Sequence, residues 1–150
     1  MSYVALTARG QYLRLTEHED RAVVRADSDS LDGCALFRRI PLGHDRIALR
    51  TPNGEYLTTR PDGMSYVLVP EPSVSAYSAF EEILWPDGRI SLRSCHLTYV
   101  SARPDGTVVV NRTLTEDGER FDLQAVHVPD RVPAQVRRQE IDADALRSGG

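Results

Sequence analysis

The stretch Ile47-Ala48-Leu49-Arg50-Thr51-Pro52-Asn53-Gly54-Glu55-Tyr56-Leu57 decides the reading of this chain, because its skeleton returns twice. Ile90-Ser91-Leu92-Arg93-Ser94 repeats its opening downstream, and Val4-Ala5-Leu6-Thr7-Ala8 does so upstream. The leucines at 6, 49 and 92 recur every 43 residues, and a tyrosine follows each, at 12, 56 and 99. Each unit then closes on a phenylalanine in apolar company: Phe37, Phe80 and Phe121. Self-similarity at a fixed period marks a chain built from one repeated supersecondary unit.

Within each unit, apolar and polar residues alternate in short runs, the period-2 signature of half-buried strands. The runs fall at residues 3–8, 11–15, 21–26 and 35–40 in the first unit. The second gives 46–51, 56–60, 64–69 and 80–85, and the third 89–94, 98–103, 107–112 and 121–126. Turn chemistry separates them. Pro61-Asp62-Gly63, Pro86-Asp87-Gly88 and Pro104-Asp105-Gly106 each combine a fixed φ, a carboxylate able to bond its own backbone, and a residue tolerant of positive φ. Arg9-Gly10 and Asn53-Gly54 punctuate the first hairpins of their units. One four-stranded unit cannot bury both its faces. Three that pool their Leu, Tyr and Phe anchors close a barrel and remove most exposed sheet edges. The expected fold is all-β, a pseudo-threefold β-trefoil of three four-stranded repeats of about 43 residues.

Composition agrees with one domain. The chain has 150 residues, 41% hydrophobic and 27% charged, which is globular rather than disordered. The trefoil is expected over residues 1–128. Pro129-Asp130-Arg131-Val132-Pro133 breaks the pattern, and 129–150 reads as a C-terminal tail, a short helix or disordered, with Val136, Ile141 and Leu146 too widely spaced for a clean apolar stripe. All 18 basic residues are arginine, which points to a GC-rich bacterial genome, and the net charge is −4. An acidic balance without a basic run argues against nucleic acid as a partner. No apolar run approaches the length of a membrane span. Met1–Ala5 shows no charged segment followed by an apolar one, and the only cysteines are Cys34 and Cys95, so the expectation is a cytoplasmic protein with free thiols.

The pattern apolar-x-Leu-Arg-x-x-x-Gly-x-Tyr-Leu, best seen in residues 47–57, together with the closing Glu119-Arg120-Phe121-Asp122-Leu123, resembles the repeat of fascin-like, actin-cross-linking β-trefoil domains. The resemblance spans residues 3–127. It implies a protein-binding trefoil, although fascins bundle filaments with four tandem trefoils and this chain has one. A lone trefoil bundles only if it oligomerises or carries two sites. The first repeat departs from the pattern, with Glu17-His18-Glu19-Asp20 where a glycine-containing turn is expected. Ricin-type lectin trefoils are the second comparison. Their repeats end in Gln-x-Trp, whereas the only tryptophan here, Trp85, has no Gln two residues before it.

Candidate chemistry is sparse. Asp27-Ser28-Asp29-Ser30-Leu31-Asp32-Gly33 has acidic density but not calcium-loop spacing, since Leu31 stands at position five and Arg38 at twelve. Cys95-His96 breaks the repeat and sets a thiol beside an imidazole. On a strand the two would point to opposite faces. The histidines His18, His44, His96 and His127 show no zinc spacing. No metal or cofactor is expected, and no phosphate loop or nucleophile elbow occurs. The segments 27–33, 70–79 and 113–119, which join the third strand of each repeat to the fourth, differ most between repeats, and loops on a rigid scaffold carry function.

Binding candidates are therefore Tyr77 with Trp85 as an aromatic anchor, Arg50 and Arg93 as repeat-equivalent anion ligands or turn braces, and His96. The expectation is a non-catalytic module that binds a protein partner, or a small polar ligand or glycan, through its loops. The alternatives are a small trefoil enzyme using His96, Cys95 or a loop carboxylate, and a lectin-like trefoil.

Overall fold

The structure, a computed structural model, describes residues 2–129. Twelve strands occur among them: β1 (Ser2–Ala8), β2 (Gln11–His18), β3 (Arg21–Ser28), β4 (Arg38–Gly43), β5 (Arg46–Arg50), β6 (Tyr56–Asp62), β7 (Ser65–Glu71), β8 (Phe80–Leu84), β9 (Ile90–Arg93), β10 (Tyr99–Ala102), β11 (Val108–Arg112) and β12 (Asp122–His127). The proposed tail beyond residue 129 lies outside the described residues. Among those residues no helix is long and apolar enough to cross a membrane.

Six strands close the barrel. β4 pairs with β5, β5 with β8, β8 with β9 and β12 with β1, all antiparallel. The remaining two links are single bridges, Val4 to Phe37 and Ile90 to Phe121, each made by a reciprocal pair of backbone hydrogen bonds of 2.7–3.0 Å. Ile47 pairs with Phe80 at the corresponding place in the second repeat. The three phenylalanines thus tie together the first and last strands of their own repeats. All three are fully buried, as are Leu13 and Leu57 and their third-repeat counterpart Val100, while Leu6, Leu49 and Leu92 are at most 2% exposed. Burying one such side chain stabilises by roughly 1.5–3 kcal/mol, and no single repeat has enough of them to fold alone. The hairpins β2–β3, β6–β7 and β10–β11 cover one end of the barrel, where β3, β7 and β11 pack on one another. This is a β-trefoil.

The reading from periodicity requires three corrections. First, residues 35–37 do not begin a strand. Gly33–Ala35 is a 3-10 turn, and the fourth strand of the first repeat starts only at Arg38. Equivalent 3-10 turns, Ala76–Ser78 and Asp117–Glu119, precede β8 and β12. Second, Cys95-His96 lies in the tight turn between β9 and β10, where Leu97 N–H bonds to Ser94 O at 2.9 Å, so strand alternation does not govern the pair. Third, the glycine-free turn at Glu19-Asp20 forms with both residues at positive φ, 53° and 65°, which suits a tight hairpin without needing glycine.

Candidate functional site

The threefold scaffold builds three equivalent clefts, each between a 3-10 turn and the first loop of the next repeat. The turns are fixed from within. Asp32 accepts from Cys34 N–H at 2.9 Å, Ser75 accepts from Tyr77 N–H at 3.2 Å, and Glu119 Oε1 accepts from Glu116 N–H at 2.8 Å. The middle residue of each turn faces its cleft, and it differs in every repeat: Cys34, Tyr77 and Gly118.

The first cleft sets Cys34 and Leu36 against Thr51, Pro52 and Asn53 in a largely apolar cavity of about 300 Å³. In the second, Tyr77 meets His96. The imidazole stacks on Tyr66 with ring centroids 4.6 Å apart and lies 5.8 Å from the Tyr77 ring. Arg60 sits over the other aromatic partner, 5.9 Å from the Tyr77 centroid, and is held by Glu71 at 3.2 Å. Tyr77 is 44% exposed and Leu97, next to His96, is 65% exposed, so this cluster presents an outward surface.

The third cleft is an open groove of about 620 Å³ where the chain returns from the third repeat to the first. Arg9, from the loop between β1 and β2, donates to Ala102 O at 2.5 Å. Gly118 makes this close approach possible, because a side chain there would place its Cβ 2.7 Å from Ala102 O and 3.0 Å from the Arg9 guanidinium. Arg103, Arg112 and Arg120 line the rest with Glu116, Asp117 and the buried Glu119. Glu119 takes the Ser101 hydroxyl on Oε2 at 2.5 Å.

The residues expected from sequence are distributed over these features. Tyr77 and His96 converge in the second cleft. Trp85 does not join Tyr77: its ring is covered by Arg120, 4.0 Å from the centroid, and its Nε1 donates to Ser91 Oγ at 2.7 Å. Arg120 lines the third groove, so Trp85 stands behind that wall. Arg50 and Arg93 each serve their own repeat. Arg50 lies 5.5 Å from the Tyr56 ring centroid with its guanidinium against Gly54. Arg93 donates twice to Glu81, and those hydrogen bonds raise its pKa above the ordinary guanidinium value. In the acidic loop, Asp27 pairs with Arg25 at 3.0 Å and Asp32 is used as a cap. Sequence reasoning missed Tyr66, Arg60, Arg9 and Gly118. A tyrosine inside a strand carries no distinguishing signal, and the Arg9–Gly118 approach arises only when the barrel closes.

No protein-family model and no curated protein matches the sequence. Among solved structures, the crystal structure of a designed 3-fold symmetric protein, ThreeFoil, matches with a TM-score of 0.66 at 16% identity, covering 81% of this chain and 97% of that chain. At that identity the likeness shows the fold.

Proposed function

We propose that the chain is a non-catalytic binding module that engages a protein partner through the junction of its second and third repeats. The observation that carries this reading is the stack of His96 on Tyr66 beside an outward-facing Tyr77. Tyrosine and arginine are over-represented among residues that dominate interface energies, and here Arg60 and Tyr77 are held in place before any partner arrives. Val74 and Leu97, near Tyr77 and His96 in sequence, are also exposed apolar residues. The barrel beneath supplies rigidity, and the loops supply specificity. The imidazole of His96 is occupied by two tyrosine rings, an arrangement that favours binding over a Cys95–His96 nucleophile pair.

The repeat motif around Leu49-Arg50 resembles that of fascin-like trefoils, which supports a protein-binding role. Both cysteines are exposed thiols, which suits a reducing compartment such as the bacterial cytoplasm.

The test compares wild type with Tyr77→Ala, His96→Ala and Trp85→Ala as baits in the host's soluble extract, read by quantitative mass spectrometry. A stoichiometric protein lost with the first two variants and kept by the third supports the reading. Retention by all three sinks this surface. A pH-dependent turnover abolished by His96→Ala would replace binding with catalysis.

A further inference from the structure

The third groove shows an imbalance of charge that the aromatic surface does not share. Arginine is matched to a carboxylate across much of the molecule: Arg21 to Asp62 at 2.9 Å, Arg60 to Glu71 at 3.2 Å, Arg89 to Asp87 at 2.8 Å, and Arg39 to Glu82. Among the described residues six arginines have no carboxylate ion-pair partner, Arg9, Arg38, Arg46, Arg50, Arg103 and Arg120, and three of them, Arg9, Arg103 and Arg120, line the same groove. Arg9 bonds a carbonyl and Arg120 bonds the Thr115 hydroxyl. Among the described residues Arg103 makes no side-chain hydrogen bond or ion pair. Its neighbour Asp105 is occupied by the Thr107 hydroxyl and N–H, and feels Arg103 only as a weaker charge.

The acids of the groove are already engaged. Glu116 faces Arg112 at 3.6 Å, Asp117 faces Arg89 at 3.5 Å, and the buried Glu119 accepts from Ser101 and from Glu116 N–H. The donors left over are therefore guanidinium N–H groups, which match planar or tetrahedral oxyanions in a fork geometry. Gly118, where the other repeats carry Cys34 and Tyr77, lets Ala102 O and the Arg9 guanidinium come close against the turn. A volume of about 620 Å³ falls within the range of small-ligand sites.

We propose that this groove is a binding site for a small oxyanion, a metabolite bearing carboxylate or phosphate groups. The net charge of −4 disfavours a long polyanion, and the size of the groove sets the ligand class. Arg103 and Arg9 supply the charge-assisted hydrogen bonds, and Arg120 closes the wall in front of Trp85. The site is independent of the Tyr77 surface and stands or falls separately.

The experiment titrates the full chain with pyrophosphate and with citrate at low salt, read by calorimetry and by the fluorescence of its one tryptophan. Binding by either probe is expected, weakened about tenfold by Arg103→Ala and more by Arg103→Glu, with Arg21→Ala unchanged. Preference for pyrophosphate assigns a phosphorylated ligand, and preference for citrate a carboxylated one. Arg103 carries no structural bond, so its variants fold, and circular dichroism checks this. Absence of binding by both probes overturns the proposal, as does wild-type affinity in Arg103→Glu.

Discussion

Ser101 donates its hydroxyl to a carboxylate oxygen of Glu119 at 2.5 Å, in a position where the other two repeats place Ala35 and Ser78. Glu119 is only 4% exposed, and its second oxygen caps its own 3-10 turn through Glu116 N–H. One side chain therefore joins β10 to the third turn and forms the floor of the groove.

Replacing it tests that junction. Glu119→Ala leaves the buried Ser101 hydroxyl and the Glu116 N–H without their acceptor, a loss of about 2 kcal/mol. Glu119→Gln keeps an acceptor oxygen and should lose less. Urea unfolding measures both, and a change under ~0.5 kcal/mol for Glu119→Ala would show that the turn is held by other contacts.

Pseudo-symmetry makes a second prediction. Phe37, Phe80 and Phe121 are all fully buried and bridge equivalent partners, Val4, Ile47 and Ile90. Truncating any of them to Ala should cost about 3–5 kcal/mol, with the three values close to one another. A phenylalanine whose loss costs less than ~1 kcal/mol would mean that its repeat is not part of the common core.

Leu97 adopts φ 63° at the position where the other repeats carry Gly10 at 79° and Gly54 at 89°. A left-handed backbone costs a residue with a Cβ roughly 1–2 kcal/mol, and the Leu97 side chain is 65% exposed, so it recovers little by packing. Leu97→Gly should therefore raise stability by about 1 kcal/mol. The same variant removes an apolar flank of the Tyr77 surface. Higher stability with weaker partner binding is the expected pair of outcomes, checked by thermal unfolding and the pull-down.

Acid sensitivity follows from the turns Pro86-Asp87-Gly88 and Pro104-Asp105-Gly106. Asp87 is held below the ordinary carboxylate range, first by Arg89 N–H and then by the Arg89 side chain. Asp105 is lowered first by the Thr107 hydroxyl and then by Thr107 N–H. A carboxylate with a depressed folded pKa stabilises the fold at pH above its unfolded value near ~3.9. That contribution disappears as pH falls through the lower folded value. Melting temperature should thus be flat from neutral pH to about 5 with respect to these groups, then fall. The double variant Asp87→Asn, Asp105→Asn should reduce the acid dependence, and an unchanged profile would assign it elsewhere.

What was legible in the sequence is what the barrel demands three times over. Leu6, Leu49 and Leu92 share one spacing because the same buried position recurs in each repeat, and the phenylalanines recur for the same reason. The 3-10 turns were illegible. Three residues are too few to show a period, and their caps use different chemistry: an aspartate, a serine and a glutamate. The clefts were half legible. Tyr77 and His96 stood out as departures from a repeat, whereas Arg9 and Gly118 lie at opposite ends of the trefoil and become neighbours only through ring closure. Pairing Tyr77 with Trp85 failed geometrically, because β8 carries Trp85 away from the 3-10 turn toward the third repeat, where Ser91 and Arg120 receive it.

Trp85 gives the last prediction its readout. Its Nε1 donates to Ser91 Oγ at 2.7 Å, and that hydroxyl donates on to Glu119 O at 2.6 Å, so one buried serine links the indole to the turn beneath the groove. The first two repeats carry Ala5 and Ala48 at the corresponding place, both fully buried, so Ser91→Ala fits the backbone and removes only the relay. The expected cost is about 1–2 kcal/mol, since the carbonyl and the indole N–H lose their partner together. Arg120→Ala acts on the same ring from the other side. It strips a guanidinium worth roughly 0.5–1 kcal/mol and exposes the indole face, which shifts the emission of the single tryptophan to longer wavelength. A red shift in Arg120→Ala together with a loss of stability in Ser91→Ala would establish Trp85 as a structural wall whose fluorescence senses the groove. Emission unchanged in both variants would place the indole outside that linkage and remove it as a reporter of anything bound there.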